Sequence, residues 1–165
     1  MNSEDLRTTM RLWASGVAVL TARHGETAHG MTVNSFTSVA LQPPLVSVSL
    51  QKNTRTLNLV LKSGFFGITI LGADQQEISE RFAGRVPEEG DRLAGLETGT
   101  LLSGAPLLVG GLAWLDCRLS QALDIRANML LLGEVLATRL LQPEGAPLVY
   151  FRHGYWELGQ RKKIS

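Results

Sequence analysis

GMTVNSFTSVALQPPLVSVSL, residues Gly30 to Leu50, is the stretch on which the fold turns. It begins with small and hydroxylated residues, breaks at Pro43-Pro44, and resumes as the alternation Leu45-Val46-Ser47-Val48-Ser49-Leu50. That alternation has the two-residue period of a strand. Serine is a poor strand former, so packing alone does not account for Ser47 and Ser49. Asn34, Ser35, Thr37 and Ser38 follow the first apolar run and read as a loop whose backbone N–H groups have left the ladder. Such a loop offers main-chain donors, an amide that both gives and accepts, and several hydroxyls. A flat polar heterocycle with N–H and C=O edges needs that inventory. For any single residue, satisfying the turn backbone is the simpler account.

Working outward, Ser3 is placed to cap a helix over Glu4–Trp13, which Gly16 ends. Val17–Thr21 reads as a strand, His24-Gly25-Glu26 as a turn, and Ala28–Val33 as the return of a hairpin. After Leu50, Asn53 or Thr54 caps a helix through Lys62, and Gly64 stops it. Phe65–Leu71 is a further strand. Asp74 and Glu77 have capping-box spacing, so the expected helix runs from Gln75 to Phe82 and stops at Gly84. Arg85–Gly111 is rich in glycine and poor in periodicity, and reads mostly as loop. Leu112–Ala122, Met129–Leu140 and Pro147–Phe151 are three more expected strands. Strands outnumber helices, which predicts a mainly β fold: a closed or nearly closed antiparallel barrel with short helical insertions, one domain over residues 1–165.

Composition narrows the function classes. Apolar residues make up 44% and charged residues 19% of the 165, a globular chain slightly light in surface charge, as if a partner or second subunit covered part of it. A net charge of +1 supplies no field to draw nucleic acid or an acidic membrane. Arg161-Lys162-Lys163 is the one basic cluster and reads as a solvated tail. The single cysteine, Cys117, excludes an internal disulfide and a cysteine-rich metal site, and it shares its alternating face with Ala113, Leu115 and Leu119 as a core residue. His24, His29 and His153 show no metal-ligand spacing, so no metal is expected. His24 belongs in an exposed turn, and His29 on the surface or at an interface. Leu12–Ala22 follows Arg7 and Arg11 like a leader segment, but Glu4, Asp5, Ser15 and Gly16 spoil the pattern. No run reaches the ~18 apolar residues of a membrane span. The expected location is cytoplasmic.

A second site follows the first. Gln51-Lys52-Asn53-Thr54-Arg55-Thr56 opens a helix, and a helix N-terminus with cations and threonines is a natural phosphate seat. A ring site and a phosphate site one strand apart suit a mononucleotide. The competing account has solvated cations and threonines that serve the backbone alone.

Gly30-Met31-Thr32-Val33-Asn34-Ser35-Phe36-Thr37-Ser38-Val39, followed by Pro43-Pro44-Leu45-Val46-Ser47-Val48, resembles the flavin reductase-like family of FMN-binding split barrels. That family includes the reductase components of two-component flavin monooxygenases. The resemblance covers nearly the whole chain, through Met10–Thr21, Ser79-Glu80-Arg81-Phe82-Ala83-Gly84, Gly104–Cys117, Leu132-Gly133-Glu134-Val135 and Pro147–Arg152. It implies a homodimer that holds FMN, or FAD, at its interface and accepts hydride from NADH or NADPH, with an oxygenase component as a further partner. By the same resemblance Thr32, Val33, Asn34 and Ser35 contact the isoalloxazine ring. Ser49, Leu50 and Gln51, then Lys52, Asn53, Thr54 and Thr56, follow the ribityl chain and phosphate. Arg81 and Phe82 lie near the phosphate or ring.

The chain departs from the family at one place. Where members commonly carry Gly-Asp-His before the strand ending Gly-Glu-Val, this sequence has Arg126-Ala127-Asn128. Asn128 can hydrogen-bond a ring or carboxamide but cannot titrate near neutral pH. Arg152 and Tyr155 are the other candidates for the nicotinamide side, with ordinary packing the plainer reading of Tyr155 and Trp156. The reading is an NAD(P)H-dependent flavin reductase. Its rivals are a flavin-binding electron carrier without efficient reductase activity, a flavin-relay reductase of another acceptor, and an empty structural barrel.

Overall fold

The computed structural model describes residues 2–84 and 91–159. Helix α1 (Ser3–Met10) is capped by Asn2 rather than Ser3: the Asn2 side chain accepts from the Glu4 amide at 2.9 Å, and Asp5 accepts from the Asn2 amide. The helix ends short of Trp13. None of its residues is buried, so no packing holds a further turn.

The chain continues through β1 (Ser15–Gly16), β2 (Ala18–His24), β3 (Thr27–Val33), β4 (Thr37–Leu41), β5 (Pro44–Gln51), α2 (Arg55–Ser63) and β6 (Phe65–Ile70). It closes with α3 (Gln76–Phe82), β7 (Thr98–Gly99), β8 (Leu107–Leu108), β9 (Ala113–Ile125), β10 (Asn128–Leu140), β11 (Val149–Phe151) and β12 (Gly154–Trp156). Seven strands form one antiparallel sheet in the order β3-β2-β6-β9-β10-β5-β4. Residues of β2, β3, β5, β6, β9 and β10 share one buried cluster with Leu57, Leu59 and Val60 of α2, so the sheet is wrapped around its core. Its end strands β3 and β4 do not pair, which makes it a split barrel and not a closed one. No helix among the described residues is long and apolar enough to cross a membrane.

The alternation read in β5 holds. Val46, Val48 and Leu50 are buried, and Ser47 and Ser49 face outward. Thr37 and Ser38, expected in a loop, instead begin β4, with Thr37 opposite Ser47 and Ser38 opposite Val46. The Gln42-Pro43 turn folds this segment straight back onto β5, and β-branched Thr37 and Val39 suit an extended edge. The loop proper is confined to 34–36.

Of the two later helix starts, one formed as read and the other did not. Thr54 caps α2 by accepting from the Leu57 amide at 3.4 Å, and Gly64, with φ +76°, ends it. Thr54→Ala should lower stability by about 1 kcal/mol, read as an earlier urea midpoint of the flavin-free protein; an unmoved midpoint would refute the cap. The Asp74–Glu77 box does not form. Gln75 stands at the N-cap, and its side-chain oxygen accepts from the Gly72 amide at 2.9 Å, tying the preceding turn instead. In the glycine-rich segment β7 and β8 form a short hairpin. Residues 85–90 of that segment, and the Arg161-Lys162-Lys163 tail, lie outside the described residues.

Candidate functional site

A cavity of about 390 Å³ opens where the ends of β3 and β5 meet α3 and the β11–β12 hairpin. Of the residues expected from sequence, Thr32, Asn34, Gln51, Thr54, Phe82 and Tyr155 line it. Met31, Ser79, Ala83, Arg92 and Tyr150 join them, none of which the sequence reading had assigned. A chain of bonds holds these elements together. The Thr32 hydroxyl donates to the Ser79 carbonyl at 2.6 Å, and the Ser79 and Tyr155 hydroxyls are 2.9 Å apart. Tyr155 packs edge-on against Tyr150, with centroids 5.5 Å apart. Gly30 lets α3 sit this close: a Cβ there would lie 2.8 Å from the buried Phe82 ring. Arg92 closes the arrangement by donating to the carbonyls of Phe82 at 3.0 Å and Gly30 at 3.3 Å.

The remaining expected residues play other parts. Val33 and Leu50 put their side chains into the core, which leaves only their backbone for any ligand. The Ser35 hydroxyl donates to the Ser49 carbonyl at 2.9 Å and accepts from the Ser49 amide at 3.1 Å, pinning the 34–36 loop to β5. Asn128 stands opposite Gln51 in the sheet and donates to the Ser49 hydroxyl at 3.2 Å. It is not among the lining residues, so the missing histidine leaves the cavity wall itself unchanged. Lys52 pairs with Asp124 at 2.5 Å. That hydrogen bond, and then one from the Arg126 amide, holds the Asp124 carboxyl below the usual carboxylate range. Asn53 adopts a left-handed φ of +62° just before the Thr54 cap. Arg81 donates to the Ala94 carbonyl at 2.6 Å. Arg152 lies in a neighbouring groove.

Thr56 and His29 correct one another. Both are buried, with His29 Nδ1 2.7 Å from the Thr56 hydroxyl. The imidazole could leave the surface because a polar partner on α2 meets it inside. Cys117 is buried as expected; burial and then Asp116 push its thiol up to about 12, so it stays protonated near neutral pH. Among the described residues no three His, Cys, Asp or Glu side chains gather as a metal site would need.

The donor set fits a flavin. Val17, Met31 and Phe82 supply an apolar wall, while the amides of Asn34 and Gln51 and the hydroxyls of Thr32, Thr54, Ser79, Tyr150 and Tyr155 supply a polar rim. Arg92 is the one charged side chain among the described residues lining the cavity, a cation placed where negative charge on a ring would be stabilised. No lining side chain is a carboxylate.

Comparison with known proteins gives the same answer by another route. Residues 10–159 match the family described as flavin reductase like domain. The chain is 37% identical over 155 residues to the reductase component of 4-hydroxyphenylacetate 3-monooxygenase from Thermus thermophilus, covering 94% of this chain and 96% of that one. It is 35% identical over 157 residues to the NADH-dependent flavin reductase StyB of Pseudomonas fluorescens, covering 94% and 89%. The solved structure of flavin reductase PheA2 in its native state superposes with a TM-score of 0.87 at 31% identity, over 97% of this chain and 100% of that one. With sequence, split barrel and cavity in agreement over nearly its whole length, the chain belongs to the flavin reductase-like family.

Proposed function

We propose that this cavity seats the isoalloxazine ring of FMN, with FAD the alternative, and that the ribityl chain runs past Gln51 and Thr54 to the start of α2. The protein is an NAD(P)H:flavin oxidoreductase, and NADH is the favoured donor because the relative StyB is NADH-dependent. When bound, the flavin supplies the redox chemistry, taking hydride from the nicotinamide and releasing it to an acceptor. The chain's own contribution is positional. Asn34 and Gln51 give and accept at the ring edge, and Thr54 offers a hydroxyl at a helix start. Arg92 holds a fixed positive charge beside the ring, and the Thr32–Ser79–Tyr155 bonds keep α3 from shifting the wall.

The observation that carries this reading is the convergence of Thr32, Asn34, Gln51 and Arg92 on one cavity with an apolar wall. The partners follow from surface and family. Leu123 and Ile125 on β9 are exposed, and Leu130 on β10 stands opposite Leu123, which makes an apolar outer face at that end of the sheet. A second copy of the chain is the natural cover for that face, giving a cytoplasmic homodimer that delivers reduced flavin to an oxygenase component.

Asn34→Ala tests the site. Loss of one amide should weaken flavin binding about tenfold with thermal stability unchanged, followed by fluorescence titration with FMN and FAD. A folded variant with undiminished affinity would remove Asn34 from the site. For the activity, NADH or NADPH consumption by the wild type should require added flavin; a protein that binds flavin yet consumes neither nucleotide would sink the reductase reading.

A further inference from the structure

We infer that His29 is a positioning residue for the flavin, a reading that rests on the site proposed above. Through its hydrogen bond to Thr56 it fixes where α2 begins relative to the ring cavity. It thereby sets how strongly the protein prefers a phosphorylated flavin over riboflavin. Neither His29 nor Thr56 lines the cavity, so both act through the elements they join.

The ring and the phosphate of one flavin are assigned to different elements. Met31 and Thr32 of β3 wall the ring cavity, with α3 beside them, and Thr54 at the start of α2 stands at the phosphate end. A ligand that must meet both gains the second contact at full strength only when their separation is already fixed. β3 is the element common to both, and its successive side chains turn to opposite sides. On one side Gly30 admits the Phe82 ring and the Thr32 hydroxyl donates to the Ser79 carbonyl, which seats α3. On the other side His29 Nδ1 meets the Thr56 hydroxyl at 2.7 Å, which seats α2.

This bond stands where apolar contact alone would leave α2 underdetermined. The helix has nine residues, and Leu57, Leu59 and Val60 hold it to the core by contacts without direction. Such contacts tolerate a small slide or roll of the helix; a short hydrogen bond does not. Thr56 is two residues past the Thr54 cap, so the bond acts on the first turn, whose backbone N–H groups a phosphate would meet. His29 is only 5% exposed and Thr56 is fully buried. An apolar pair of similar shape would hold the two elements together as well or better. The polar pair is therefore explained by the arrangement it specifies and not by stability.

The test compares Kd for FMN and for riboflavin, which differ only in the phosphate, by fluorescence titration. Thr56→Val removes the hydroxyl and keeps the branched shape, while Thr56→Ser keeps the hydroxyl. The double variant His29→Leu/Thr56→Val removes both polar groups together, so folding does not hinge on a stranded imidazole. Thermal melts verify each fold. Wild type should bind FMN more tightly than riboflavin. In Thr56→Val and in the double variant FMN affinity should fall about tenfold with riboflavin affinity unchanged. Thr56→Ser should keep the wild-type ratio. Equal losses for the two flavins, an unchanged ratio in the folded variants, or a serine variant that behaves as valine does would each overturn the inference. A wild type without preference for FMN would remove the phosphate seat from α2, and this inference with it. A preference that survives the substitutions would leave the seat standing and remove His29 alone.

Discussion

Arg92→Ala should cost the protein much of its flavin affinity and a measurable part of its stability. The guanidinium donates to the carbonyls of Phe82, at the end of α3, and Gly30, on β3, and so clamps the helix against the sheet at the mouth of the cavity. Charge-assisted bonds of this kind contribute about 1.5–3 kcal/mol each. Arg92 is only partly buried, so about 2–3 kcal/mol for the pair is the reasonable expectation. For a chain of this size that lowers the melting temperature by roughly 5–10 °C. Flavin affinity should fall by about ten- to a hundredfold, because the cavity loses its one charged lining group and its wall loosens together. Arg92→Lys separates the two effects: a lysine keeps the charge but not the fork, so affinity should recover further than stability. An alanine variant with wild-type melting and wild-type flavin binding would show that the clamp does neither job.

The second large effect lies at the centre of the barrel. A Cβ at Gly133 would sit 2.3 Å from Phe66 Cζ, 2.9 Å from Phe66 Cε1 and 3.2 Å from Cys117 Cβ. Phe66 is fully buried and belongs to the main core cluster, so its ring has nowhere to go. Gly133→Ala should destabilise the protein by about 3 kcal/mol, the upper part of the range for overpacking. Phe66→Leu added to that variant should recover part of the loss, although Phe66→Leu alone leaves a void and destabilises. The decisive quantity is the coupling between the two substitutions, obtained from urea unfolding of all four proteins. Simple additivity would mean that the contact is not what makes glycine necessary.

Many of the signals that held have their decisive partner near in the chain, although the Ser3 cap and the Asp74–Glu77 box, equally local, did not form. The inward Val46, Val48 and Leu50, the Thr54 cap and the Gly64 stop all depend on spacing within a few residues. The differences at and around the site depend on partners far away. Lys52 has the right type and place for a phosphate ligand, yet its ammonium is engaged by Asp124 from the β9–β10 turn. Thr56 looked like a helix-start hydroxyl and is buried against His29 of β3. Arg92 sits in a glycine-rich stretch without periodicity, so nothing local marks it; only α3 packing on β3 gives its guanidinium two carbonyls to hold. Thr37 and Ser38 carried a loop-like composition, and pairing with β5 overrode it. The stretch GMTVNSFTS supplies Met31, Thr32 and Asn34 to the cavity, while the wall from α3 and the hairpin is visible only in the tertiary structure.

The Arg152-His153 turn bears on any effort to improve this protein. A programme that chooses each residue by local preference would rewrite the turn first, since Asn-Gly suits two left-handed positions far better. The product would melt later and carry one guanidinium fewer beside Asn34. Thermostability and the positive charge presented along the groove that Arg152 lines are coupled through these two residues, so selection for one alone would erode the other.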